Sequence, residues 1–174
     1  MGARGGGQRR RLLLAAASTA LLTACGFKLR QSPHFQFKTI RLAMPGSALM
    51  QQISRNLKAT GQVQVVSDPA QAEVTLVSTG EQREQSVLSL TSTGEVREYE
   101  LRLRFSFRVT GPGGRELIPQ TEILRRMNQS YSETAALSKG AEADMFYQSM
   151  LDDIVQQVMR RLAMVKPGAP APAQ

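Results

Sequence analysis

Between Glu98 and Val109 the chain alternates without a break. Tyr99, Leu101, Leu103, Phe105, Phe107 and Val109 take every second position, and Glu98, Glu100, Arg102, Arg104, Ser106 and Arg108 fill the others. Successive side chains of a strand point to opposite faces, so this pattern predicts a strand with one apolar and one polar face. Such a strand packs on a core from one side and stays wet on the other, as antiparallel sheets allow. Ser92-Thr93-Gly94 before it predicts a hairpin turn, and Gly111-Pro112-Gly113-Gly114 ends it. Upstream, Glu73 to Ser78 and Ser86 to Thr91 read as one long strand or two pieces of one, around a polar interruption at Glu81 to Gln85. Downstream, Thr121 to Tyr131 returns less regularly through Ile123, Met127 and Tyr131.

Two segments carry the helical period instead. Leu49, Ile53 and Leu57 recur every four residues, with Ser47 placed as an N-cap and Gly61 as the residue just past the end, which predicts a helix to about Thr60. A second helix is predicted from about Ala141 to Met164. Tyr147, Leu151, Ile154, Val158 and Leu162 form its stripe, widened by Met150, Val155 and Met159. Glu142 and Asp144 near its start and Arg160, Arg161 and Lys166 near its end suit the helix dipole. Thr39-Ile40-Arg41-Leu42 and Gln62 to Val66 flank the first helix as short strands, an arrangement that favours a parallel crossover. The fold class expected is α+β, a single domain with a mostly antiparallel, mixed β-sheet and two α-helices packed on one face.

The N-terminus follows a different rule. Arg4, Arg9, Arg10 and Arg11 precede an apolar run from Leu12 to Leu22, too short for the ~20 residues that cross a bilayer as a helix. A basic segment, a short apolar segment and small residues before a cut describe a secretory signal peptide over residues 1–24. Leu22-Thr23-Ala24-Cys25 resembles the lipobox of bacterial lipoproteins, which implies lipid attachment at Cys25, the single cysteine of the chain. On this reading residues 25–37 are a lipid-anchored tether, 38–166 the α+β domain and 167–174 a disordered Pro/Ala tail. More than one acyl chain is what makes such anchoring stable, since each buried CH₂ contributes ~0.8 kcal/mol.

Processing also changes the charge argument. The 22 Lys and Arg against 14 Asp and Glu give +8 for the whole chain, but four of the arginines precede Cys25. The remaining balance is mild, which removes the case for nucleic acid as a partner. Catalysis finds little material. His34 is the single histidine and falls in the tether, and neither a phosphate-binding glycine loop nor a G-x-S-x-G turn occurs. No catalytic residue, metal ligand or cofactor is therefore expected. Asp152-Asp153 reads as a solvated helix surface. The arginines Arg102, Arg104 and Arg108 share one strand face, with Arg102 and Arg104 about 7 Å apart, a row that can grip phosphates or else be a solvated strand balanced by Glu98 and Glu100. Arg97, Arg125, Arg126 and Lys139 are expected to add basic character in loops at strand ends.

The order of parts resembles the lipopolysaccharide-assembly lipoprotein family (LptE-like). The residues that carry the resemblance are Cys25-Gly26-Phe27-Lys28-Leu29-Arg30, Phe37-Lys38-Thr39-Ile40-Arg41-Leu42, Gly94-Glu95-Val96-Arg97-Glu98-Tyr99 and Ala136-Leu137-Ser138-Lys139 followed by Asp144-Met145. The resemblance implies a Gram-negative outer-membrane lipoprotein that helps assemble and plug a large β-barrel translocon partner (LptD-like) and binds lipopolysaccharide. It implies a lipopolysaccharide-contacting role for Lys139. Arg97 stands close to the turn that carries basic residues in some members, and Arg102 and Arg104 are the alternative contacts across the sheet face. Membrane attachment would run through the N-terminal lipid. The competing readings are an auxiliary lipoprotein of a phospholipid-transport ABC system and a lipid-anchored secreted enzyme.

Overall fold

The computed structural model describes residues 33–43 and 46–168. The signal peptide, Cys25, most of the tether and residues 169–174 lie outside the described residues. Five strands and two helices follow in chain order: β1 (Thr39–Ala43), α1 (Ala48–Ala59), β2 (Gln64–Val66), β3 (Val74–Leu90), β4 (Val96–Thr110), β5 (Glu116–Ser130) and α2 (Ala136–Ala163). They form one mixed sheet in the order β2-β1-β3-β4-β5. β1 runs parallel to both β2 and β3, and β3, β4 and β5 form an antiparallel meander. This is an α+β fold.

The alternating strand explains where the core sits. Leu101, Leu103, Phe105, Phe107 and Val109 of β4 are all buried, and so is every residue of the helical stripe on α2. Both helices therefore lie on the face of the sheet that β4 turns inward. α1 adds Leu49, Ile53 and Leu57, each fully buried. Its ends are set as the sequence predicts: the Ser47 hydroxyl accepts from the Met50 N–H at 3.2 Å, and Gly61 takes φ 65°, the left-handed region where a Cβ costs energy. The β3–β4 hairpin needs the same freedom at Gly94, with φ 87°.

Several expectations change. Phe35 and Phe37 are 5% and 2% exposed and their rings meet at a tilt with centroids 5.4 Å apart, so the last residues before β1 belong to the core rather than to a tether. Two phenylalanines so close to a strand hide too much apolar surface to remain in water. β3 is one strand of 17 residues, continuous through the polar stretch that suggested two pieces. β5 begins at Glu116, five residues earlier than the pattern indicates, because Leu117 and Ile118 pack at the far end of β4. α2 likewise begins at Ala136, near the Glu133–Ala135 turn, and runs 28 residues, about 42 Å. Its first turn holds no acidic residue, so Glu142 and Asp144 do not serve the helix dipole. They meet Lys139 and Arg83 instead. Arg160 and Arg161 do occupy the last turn. Halfway along, the Tyr147 hydroxyl donates to the Glu84 carbonyl and ties α2 to β3.

Candidate functional site

The register of the meander gathers the functional candidates at one end of the sheet. β4 starts there and β5 ends there, with Glu98 opposite Ser130 and Tyr99 opposite Gln129. The Tyr131 N–H donates to the Arg97 carbonyl at 2.9 Å, extending the pairing by one residue. The rings of Tyr99 and Tyr131 meet edge to face at 5.0 Å. The chain then turns into α2, whose first turn carries Lys139. Its Nζ donates to the Ser130 hydroxyl at 3.2 Å and to Glu142 Oε2 at 2.7 Å. Arg97 and Lys139, 42 residues apart in the chain by their numbering, thus flank the same Ser130-Tyr131 dipeptide.

Gln129 holds this junction together. It is 2% exposed, and its amide donates to the Lys139 carbonyl at 2.7 Å and to Glu142 Oε2 at 3.2 Å. Glu142 therefore receives two donors. The Lys139 hydrogen bond, followed by the Gln129 one, holds its carboxyl below the usual carboxylate range. Nothing in the sequence flagged Gln129, because a polar residue on the inward face of β5 reads as a break in the pattern rather than as a clasp.

Apolar surface stands beside these charges. Val87 pairs with Tyr99 and Leu90 with Val96, so the last residues of β3 lie at the same end. Val87, Leu88 and Leu90 are 52%, 46% and 56% exposed, and Leu137, two residues before Lys139, is 95% exposed. Isolated surface leucines need no explanation. Here they stand at the same end as an exposed arginine and a lysine, which makes this end of the domain amphipathic.

The arginines of the sheet face are disposed differently. Arg102 is paired with Glu100, and Arg104 lies 3.7 Å from Glu122. Both arginines therefore have a carboxylate beside them, while Arg104 Nε is shut away from solvent with no hydrogen-bond partner among the described residues. Arg125 and Arg126 correct the loop expectation, since both lie inside β5. Arg125 points to the helix side and pairs with Asp153, while Arg126 sits opposite Arg102 on the wet face. Arg97 and Lys139 are likewise in β4 and α2 rather than in loops. His34 is exposed and outside this site. Among the described residues no three His, Cys, Asp or Glu side chains gather to hold a metal ion, and no helix is long and apolar enough to cross a membrane.

A two-layer α+β domain with a polar sheet face and an amphipathic end presents surfaces for binding. Residues 37–162 match the LptE lipopolysaccharide-assembly family. The chain belongs to that family of lipopolysaccharide-assembly lipoproteins. It is 30% identical over 152 residues to the LPS-assembly lipoprotein LptE of Yersinia enterocolitica, covering 83% of this chain and 72% of that protein. Among solved structures it is similar to the solution structure of lipoprotein B from Nitrosomonas europaea, with a TM-score of 0.70 and 30% identity over 79% of this chain and 90% of that one. The crystal structure of rare lipoprotein B from Shewanella oneidensis shares the fold, with a TM-score of 0.64 at 24% identity over 72% of this chain and 94% of that one.

Proposed function

We propose that this chain is anchored to the outer membrane by acyl groups on Cys25 and binds lipopolysaccharide at the amphipathic end of its sheet. There it assists a large β-barrel translocon partner and occupies its lumen. The observation that carries the binding reading is that the Arg97 backbone and the Lys139 side chain both contact Ser130-Tyr131, with Val87, Leu88, Leu90 and Leu137 exposed at the same end. Lipid A offers phosphates and acyl chains together. Cations next to exposed aliphatic side chains complement both, and each charge-assisted hydrogen bond contributes ~1.5–3 kcal/mol. Lys139 reaches a phosphate by exchanging Glu142, so its own ion pair sets a threshold that an anionic ligand must exceed. The wet sheet face, with Arg102 and Arg104 already paired, is left for polar contacts with a barrel wall. Catalysis plays no part in this reading.

The experiment reverses charge in two separate pairs and measures lipopolysaccharide binding and copurification with the barrel. Arg97→Glu with Lys139→Glu is expected to weaken lipopolysaccharide binding roughly tenfold or more while the barrel still copurifies. Arg102→Glu with Arg104→Glu is expected to leave that binding within about twofold, as for contacts already balanced by neighbours. If the second pair abolishes binding and the first does not, the ligand lies across the sheet face. Copurification with an ATPase and permease in place of a barrel would favour the auxiliary ABC lipoprotein.

A further inference from the structure

β1 covers β3 only from Val74 to Val77, in the register Ile40–Val74 to Ala43–Val77. From Ser78 to Leu90, β3 pairs with β4 on one side and, among the described residues, with no strand on the other. This bare edge is about 40 Å long, against about 17–20 Å for an ordinary strand. Gln82 through Leu88 are all exposed, on both faces alike, and α2 reaches them through Tyr147 at the Glu84 carbonyl and Asp144 at Arg83. Apart from the Glu84 carbonyl, which accepts from the Tyr147 hydroxyl, this row of amides and carbonyls has no partner strand on its outer side among the described residues and is a template for another strand.

A groove of about 270 Å³ lies beside the edge, lined by Glu81, Arg83, Leu103, Asp144, Gln148 and Leu151. That is below the ~300–1,000 Å³ of pockets for drug-sized ligands and suits a single side chain. Arg83 is already satisfied, 2.6 Å from Asp144 and 3.7 Å above the Tyr147 ring. Glu81 is not. Its Oε2 is shut away from solvent and has no hydrogen-bond partner among the described residues. A carboxylate oxygen left in this way is costly until a donor reaches it.

We propose that the Ser78–Leu90 edge of β3 docks an extended segment of another polypeptide as an added strand, and that a Lys or Arg side chain of that segment enters the groove to meet Glu81. An acyl chain offers no donor for the edge carbonyls, which excludes a lipid as the occupant. A second copy of the chain fits poorly, because the one cation along this edge is Arg83, which Asp144 and Tyr147 already hold. The antiparallel register that sets Ser78 opposite Leu90 also sets Glu84 opposite Glu84, and like charges directly opposite destabilise. The register that joins Glu81 to Arg83 sets Val87 opposite Val77, where β1 already lies. A foreign strand with a cation opposite Glu81 meets neither obstacle. The edge shares Val87, Leu88 and Leu90 with the lipopolysaccharide reading, whereas the contact at Glu81 and the positions Gln82, Glu84 and Ser86 lie outside that patch and do not depend on it.

The test places a photoreactive phenylalanine analogue singly at Gln82, Glu84 and Ser86 of the full-length chain in its own cells, followed by mapping of the adducts. The three positions are expected to label one short segment of one protein. The attachment point should step by two residues for each step along β3, and the segment should carry Lys or Arg. Glu81→Gln is expected to lower the adduct yield roughly tenfold while the melting temperature stays or rises, since it removes an unpaired carboxylate. Adducts scattered over unrelated positions, adducts to a second copy or to lipid, or a yield indifferent to Glu81→Gln would each overturn the proposal.

Discussion

Lys139 Nζ lies 3.2 Å from the Ser130 hydroxyl, so the first turn of α2 is fastened to the last residue of β5 by the same lysine that the family resemblance marks for ligand binding. The lysine also gives its charge to Glu142 at 2.7 Å. On the proposed function, binding and folding share this one side chain. A lysine that is structural alone would lower stability when removed and leave ligand affinity unchanged. A lysine used for both lowers each, and the two measurements must be made on the same variant.

The Glu142 carboxyl gives this junction a pH dependence. Its folded-state pKa is depressed by Lys139 first and Gln129 second. A depressed carboxyl contributes stability that is fully present above its unfolded pKa and is lost as pH falls through the folded value. Glu142→Gln is therefore expected to be less stable than the parent at neutral pH. The gap should close as denaturation is followed down to about pH 3, below the ordinary carboxyl range. A gap that persists unchanged at the acidic end would show that the junction does not depend on that charge.

Phe105 is fully buried and its ring centroid lies 5.5 Å from that of Phe107 on the inward face of β4. Phe105→Asp places an unpaired charge there, at a cost of several kcal/mol against the 5–15 kcal/mol that holds a typical domain folded. The variant is expected to be largely unfolded by circular dichroism at room temperature. Arg104→Asp on the neighbouring wet position is expected to change the midpoint only slightly, because surface ion pairs are weak.

Cys25→Ser tests the anchor. A serine hydroxyl cannot replace the thiol that forms the thioether, so the variant is expected to accumulate as an unprocessed precursor that takes up no labelled fatty acid. Normal acylation of that variant would remove the lipobox reading, and the outer-membrane address with it.

The β4 alternation, the capped α1 and the long apolar stripe of α2 were legible because each follows from local periodicity. A strand exposes alternate residues to two environments, and a helix of 3.6 residues per turn repeats its buried face. The boundaries were less so. β5 begins five residues earlier than its pattern suggests, and α2 does the same, because the early turns are held by contacts with distant partners such as Gln129 on Lys139. Phe35 and Phe37 looked like tether because two aromatics near a proline have no period, yet they fill the core beside β1.

Sequence alone determined the alternation of β4, hence which face of the sheet is dry, and the family segments that led to lipopolysaccharide assembly. Those are properties of neighbours within a few residues, where side-chain chemistry and backbone geometry act directly. Only tertiary structure decided which charges meet. β4–β5 pairing brought Arg97 to the Ser130-Tyr131 dipeptide that Lys139 also reaches and placed Arg126 opposite Arg102, and the five residues of β1 leave β3 beyond Val77 without a second strand partner among the described residues. Pairing register and strand length are set by contacts between segments far apart in the chain, and no local pattern encodes them.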